Sequence, residues 1–197
     1  MTTRTSHILV VASAFLVGLT LFLSIFFYAT GQLNGRPGGS AIGGPFKLIG
    51  ENGQPITDQD MKGKPWLVFF GYTHCPDVCP TTLFQMSEVM KALGKDADKA
   101  GGLFITVDPE RDTPAVMKDY LSNFDPHLRG ATGDLKSIEA VEKEFRVYAK
   151  KAPTGNGDYS MDHSAVVYLM DKQGRFVAPF KLDRKPAAAA EELRKYM

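Results

Sequence analysis

The chain has 197 residues, 44% of them hydrophobic, with 12 prolines, 19 glycines and a formal net charge of +1 at pH 7. Such a length and composition fit one medium-sized core with extensions. The near-neutral balance excludes the basic field that draws nucleic-acid binders to phosphate, so no nucleic-acid partner is expected.

Residues 1–7 are a short polar start, followed by an apolar run from Ile8 to Tyr28 without a charged side chain. At 1.5 Å per residue the run spans about 31 Å, close to the hydrocarbon thickness of a bilayer. It predicts a single transmembrane anchor over residues 8–28. The rival reading is a cleaved signal peptide with Ala29-Thr30-Gly31 as its small-residue site, but signal h-regions are usually about 7–15 residues long. A buried soluble helix would need cover on every face. Arg4 and the amino terminus precede the run and Arg36 follows it, a slight bias toward a cytoplasmic N-terminus. The segment before the anchor is too short for a mitochondrial transit peptide. The reading is a single-pass protein of the bacterial inner membrane with residues 1–7 in the cytoplasm and its globular part in the periplasm. Cysteines there are oxidised unless something reduces or metallates them.

Residues 29–45 are Gly-rich and nearly uncharged, a flexible linker by composition. The globular domain is expected over 46–197. Phe46 to Ile49 and a short partner beyond Asn52-Gly53 suggest a hairpin. Trp66 to Phe70 is a continuous apolar run and reads as a strand buried on both faces. The cysteine-bearing turn follows, then a helix from about Pro80 to Leu93 with Cys79 at or near its N-cap. Leu103 to Val107 is a second buried strand. Pro114 to Phe124 reads as a helix capped by Asp112 or Thr113, and Asp134 to Phe145 as another. His163 to Met170 is a third strong strand, pairing antiparallel with Arg175 to Phe180 across the Asp171–Gly174 turn, and an Ala/Glu-rich helix begins at Pro186. Strands alternating with helices and closed by a hairpin describe an α/β three-layer sandwich with a mixed central sheet. The order suits a thioredoxin-like fold.

Cys75 and Cys79, the only cysteines, stand at the end of the first buried strand and the start of a helix. Helix N-termini carry unpaired N–H groups and partial positive charge. Thiols there ionise more easily, and the thiolate binds soft metals or attacks disulfides. The spacing allows a disulfide or convergence on one ion. A metal needs a further donor. Of four histidines, His7 flanks the apolar run, His127 lies in a polar loop, and His74 is expected to point away from the thiols by strand alternation. His163 heads a strand after the polar loop Thr154–Asp162, at the edge where ligands gather in such sheets. Two thiolates and an imidazole suit copper. Zinc would want a fourth protein ligand, which only Asp77 or Asp162 could supply. For Asp77 a turn role is favoured, Asp162 is a candidate for orienting His163, and Tyr72 and Tyr159 read as packing residues with a hydroxyl partner. The charged run Asp108, Glu110, Arg111, Asp112 reads as capping plus an Arg111–carboxylate pair, or as a docking surface or orienting shell.

Three stretches, Phe70 to Pro80, Thr106 to Pro114, and Tyr159 to Ser164, resemble the Sco/SenC family of membrane-anchored copper-binding proteins. The resemblance covers the whole globular part. It implies a thioredoxin-like fold, one copper ion held at the positions of Cys75, Cys79 and His163, and work in assembling the dinuclear copper centre of cytochrome c oxidase subunit II. Other implied partners are periplasmic copper carriers or thioredoxin-like reductants. Met161 stands where an aliphatic residue is more usual and is an auxiliary soft donor candidate. A second reading is a thiol–disulfide oxidoreductase that uses Cys75 and Cys79 as a redox-active dithiol on the acceptor's cysteines, or that acts in redox sensing. A peroxidase would need a peroxide-activating shell that the sequence does not show.

Overall fold

A computed structural model describes residues 13, 15–26, 42–155 and 157–197. The chain divides into two units, Met1–Gly39 and Ser40–Met197. In the first, residues 15–26 form a helix, α1, with exposed side chains. Among the described residues no helix is long and apolar enough to cross a membrane. The rest of the expected anchor, and the linker up to residue 41, lie outside the described residues.

The second unit carries β1 (Lys47–Gly50), β2 (Pro55–Thr57), β3 (Trp66–Gly71), α2 (Val78–Leu93), β4 (Gly101–Thr106), α3 (Pro114–Leu121), β5 (Leu128–Thr132), α4 (Leu135–Phe145), β6 (Ala149–Gly155), β7 (Asp158–His163), β8 (Val167–Met170), β9 (Phe176–Pro179) and α5 (Pro186–Arg194). Seven strands form one sheet in the order β2-β1-β5-β4-β3-β8-β9, while β6 and β7 pair only with each other. β3, β4 and β5 run parallel, and β1, β2, β8 and β9 join antiparallel. The mixed sheet is therefore as expected.

Every residue of β3 and β4 is buried, and alternation sends successive side chains to opposite faces. Trp66 and Phe70 meet Phe145 of α4, with ring centroids 6.4 and 5.4 Å apart. On the other face Phe69 stacks on Phe104 at 5.9 Å, and Phe104 meets Tyr120 of α3 at 6.0 Å. That face also receives α2, whose Cys79 sulfur lies against Gly71. Helices thus cover both faces of the sheet, giving three layers.

Several boundaries differ from the sequence reading. α2 starts at Val78 with Asp77 as its N-cap, so Cys79 sits inside the first turn rather than at the cap. Pro80 is tolerated there because first-turn N–H groups have no intrahelical partner anyway. α3 ends at Leu121, and its cap is Thr113, whose hydroxyl accepts from Val116 N. Two features were not foreseen. β5 is one, and the β6–β7 hairpin is the other. His163 therefore ends a hairpin arm instead of heading the next buried strand, which begins only at Val167.

Candidate metal centre

β3 delivers the chain to the turn Tyr72–Asp77, and α2 starts directly beyond it. Both cysteines are free thiols, Cys75 half-buried and Cys79 fully buried. The turn brings them together through the backbone. Cys79 N donates to Cys75 Sγ at 3.4 Å, so a sulfur does the capping that the Asp77 side chain does not.

The turn is held from behind by Asp112, whose carboxylate is buried. It accepts from Thr73 N at 3.0 Å, from Thr73 Oγ1 at 2.6 Å and from Thr106 Oγ1 at 2.6 Å. Three charge-assisted bonds to one carboxylate tie the cysteine turn to the end of β4. Asp112 is thus a clamp for the turn, not a helix cap, and its sequence spacing gave no sign of Thr73 as a partner.

His163 reaches the thiols from the hairpin. Its Nε2 lies 3.6 Å from Cys79 Sγ, across 84 residues of chain. Its Nδ1 lies 3.2 Å from the carbonyl oxygen of Ser164. A carbonyl only accepts, so Nδ1 carries the proton and the Nε2 lone pair faces the sulfur. The orienting partner is this carbonyl, not Asp162, which is exposed. The ring is walled by Phe69 at 6.4 Å and by Tyr72 at 5.8 Å, the latter perpendicular to it at 89°. Burial lowers the His163 pKa, with the Ser164 carbonyl and Asp162 opposing, so the imidazole stays neutral and able to donate its lone pair. Against the easier ionisation expected of a thiol at a helix N-terminus, burial pushes the Cys79 thiol well above the ordinary range, partly offset by the backbone N–H of Tyr72.

The other candidates go elsewhere. Exposed His74 bonds through Nδ1 with Thr73 Oγ1 at 3.1 Å. His127 bridges Asp125 at 2.6 Å and Asp98 at 3.0 Å, and those carboxylates raise its pKa. Asp77 is exposed and serves the turn. Met161 borders a cavity shared with α4. His7 lies outside the described residues. Among the described residues no three His, Cys, Asp or Glu side chains form a ready-made cage for an ion. Cys79 lies beside both Cys75 and His163.

Arg111 pairs with buried Asp108 through Nε, as the charged run suggested. The same Asp108 accepts from Tyr159 Oη at 2.9 Å.

A family model described as SCO1/SenC matches residues 34–197. The SCO2-like protein of Rickettsia felis is 39% identical over 166 residues, covering 83% of this chain and 81% of that protein. The structure of Bradyrhizobium japonicum ScoI with copper bound is 63% identical with a TM-score of 0.77, over 79% of this chain and 99% of that one. Yeast Sco1 with copper bound is 34% identical with a TM-score of 0.72, over 80% of this chain and 88% of the other.

Proposed function

The chain belongs to the SCO1/SenC family, and on that premise we propose that it is a copper metallochaperone holding one ion as cargo through Cys75, Cys79 and His163. The acceptor is the dinuclear copper centre of cytochrome c oxidase subunit II. Residues 8–28 anchor the protein in a bacterial inner membrane, 1–7 face the cytoplasm, 29–45 tether the domain, and 46–197 work in the periplasm. The support for this topology is the uncharged apolar run and the Gly-rich stretch after it. Partners beyond the acceptor are other periplasmic copper carriers and thioredoxin-like reductants.

The observation that carries the reading is the Nε2 lone pair of His163 turned toward the Cys79 sulfur. Two sulfurs and an imidazole form a soft to borderline donor set, suited to copper and short of the four ligands of a closed zinc site. Loading displaces the proton of each thiol, whereas His163 has none to lose at Nε2. Release proceeds by ligand exchange, incoming donors replacing one protein sulfur at a time. Half-buried Cys75 is the sulfur that an acceptor reaches first.

A second reading rests on that asymmetry. An accessible Cys75 beside a buried Cys79 suits a dithiol that reduces the acceptor's cysteines, Cys75 forming the mixed disulfide and Cys79 resolving it. His163 separates the two, because dithiol exchange requires no third donor. Under reducing conditions, competition against a chelator should show His163→Ala binding copper on the order of 100-fold more weakly, the upper end of what losing even an outer-shell partner costs. Exchange with a small disulfide should persist. Equal copper affinity in the two proteins would sink the assignment of His163.

A further inference from the structure

We infer that Arg111, paired with Asp108 and stacked on Tyr159, is a latch that positions His163 against Cys79 and so sets how tightly copper is held. The inference deepens the proposed function and rests on His163 being a copper donor.

The β6–β7 hairpin shares no ladder with the seven-stranded sheet, so its placement depends on side chains. Beside it lies a cavity of about 310 Å³ bordered by Pro109, Leu135, Glu139, Glu142 and Met161, while Ala149 and Met161 pack against the core. Beside the Lys151–Glu110 ion pair at 2.6 Å and the Tyr159–Asp108 bond, several ties to the body converge on Arg111. Its Nη1 donates to the carbonyl of Tyr159 at 3.1 Å and to Asp158 Oδ1 at 3.3 Å. Its guanidinium lies 3.8 Å from the centre of the Tyr159 ring and 5.8 Å from that of Tyr72. Its Nη2 is buried without a hydrogen-bond partner, which fits a cation flanked by rings.

The fixed end of the latch is rigid. Asp108 is 1% exposed, and its N–H donates to Thr106 Oγ1 at 2.9 Å, where Asp112 also anchors the cysteine turn. One hydroxyl thereby links the support of the thiols to the support of the hairpin. On β7, Tyr159 and His163 are four residues apart and share a face. Fixing Tyr159 therefore fixes the face that carries the imidazole. Tyr72 completes the circuit, touching Arg111 with its ring and walling His163 at a right angle. Cys75 is held within its own turn, its N–H donating to the Tyr72 carbonyl at 3.3 Å, whereas Arg111 bonds to the hairpin itself, so Arg111 is a positioning residue for the third donor more than for the dithiol.

The test is a double-mutant cycle on the full chain, with Cu(I) affinity read by chelator competition. Arg111→Ala should weaken copper binding about 10-fold, as loss of an outer-shell support does, and Arg111→Lys, which keeps the charge without the fork, should fall between. In a His163→Ala background Arg111→Ala should cost nothing further, while thiol–disulfide exchange stays within about twofold throughout. An equal loss in both backgrounds marks a general structural effect and overturns the latch. A second readout needs no metal. Nuclear Overhauser contacts from the His163 ring to Phe69 and Tyr72 should vanish in Arg111→Ala and persist in Arg175→Ala. Their persistence in Arg111→Ala also overturns the latch. If His163→Ala leaves copper affinity unchanged, the proposed function fails, and the metal-free contacts still decide the latch by themselves. Should Arg111→Ala not fold, Tyr159→Leu, which removes the ring that Arg111 stacks on together with the bond to Asp108, replaces it with the same supporting and opposing outcomes.

Discussion

At Gly71 the end of β3 comes into direct contact with the thiol it helps to place. A Cβ there would sit 2.7 Å from Cys79 Sγ and 2.8 Å from Phe104 Cε2, so only glycine lets α2 start this close to the strand. Gly71→Ala is expected to cost about 1–3 kcal/mol as overpacking and to weaken copper binding by moving the sulfur. Urea unfolding and chelator competition check the two effects, and a variant with native copper affinity would show that the sulfur's position is not critical. Glu142 is a different case, because its carboxyl borders the cavity beside the hairpin. Burial and the neighbouring Glu139 raise its pKa from 4.5 to about 7. A carboxyl raised in this way contributes stability below its unfolded-state pKa and loses it as pH climbs through the folded value. Glu142→Gln should therefore match wild type near pH 4 and exceed it near pH 8 by on the order of 1 kcal/mol, after discounting for solvent screening. Denaturant titrations at the two pH values give the answer, and a gain that does not depend on pH would remove the burial argument. Legibility at this scale follows chemistry. Cys75, Cys79 and His163 stood out because few residue types can hold a soft metal. The Ser164 carbonyl that orients the imidazole has no side-chain signature at all.

Elements were legible where burial is continuous. β3 and β8 are unbroken apolar runs and β4 is apolar up to Thr106, a pattern of interior strands or of helices too short to stand. β5 escaped because Arg129 and Gly130 interrupt its pattern. It forms through its neighbours, parallel to β4 on one side and antiparallel to β1 on the other. The hairpin escaped for the opposite reason. Most β6 side chains are exposed, so no apolar alternation marks the strand, and its polar arms read as loop. That exposure has a measurable consequence. Amides of β6 and β7 should open at a free energy lower than those of β3 and β4 by on the order of 1 kcal/mol or more. Hydrogen exchange on the metal-free protein tests this, and copper should slow exchange at the His163 end of β7. Equal protection of hairpin and central sheet would show that the latch and its neighbours bind the hairpin as firmly as a ladder would.

For the whole molecule, the essential property is that its proposed donors are distant in sequence and meet only in the folded chain. Cys79 and His163 are separated by 84 residues, so an unfolded chain cannot offer the same three atoms at one point. Copper bound at them must then stabilise the native state by mass action. At free copper 100 times the dissociation constant the gain is about 2.7 kcal/mol. If His163→Ala weakens binding 100-fold, the same free copper leaves a gain of about 0.4 kcal/mol. The two values test the site by a route independent of direct titration, since they are read from unfolding midpoints under anaerobic, reducing conditions. All three proposed donors, together with Asp112 and Arg111, lie in the unit Ser40–Met197. A chain of residues 40–197 should therefore reproduce the full chain's copper-dependent gain. A smaller gain would mean that the first unit contributes to copper binding. A gain as large in His163→Ala as in wild type would mean that the two cysteines hold copper without the imidazole, as a plain dithiol would.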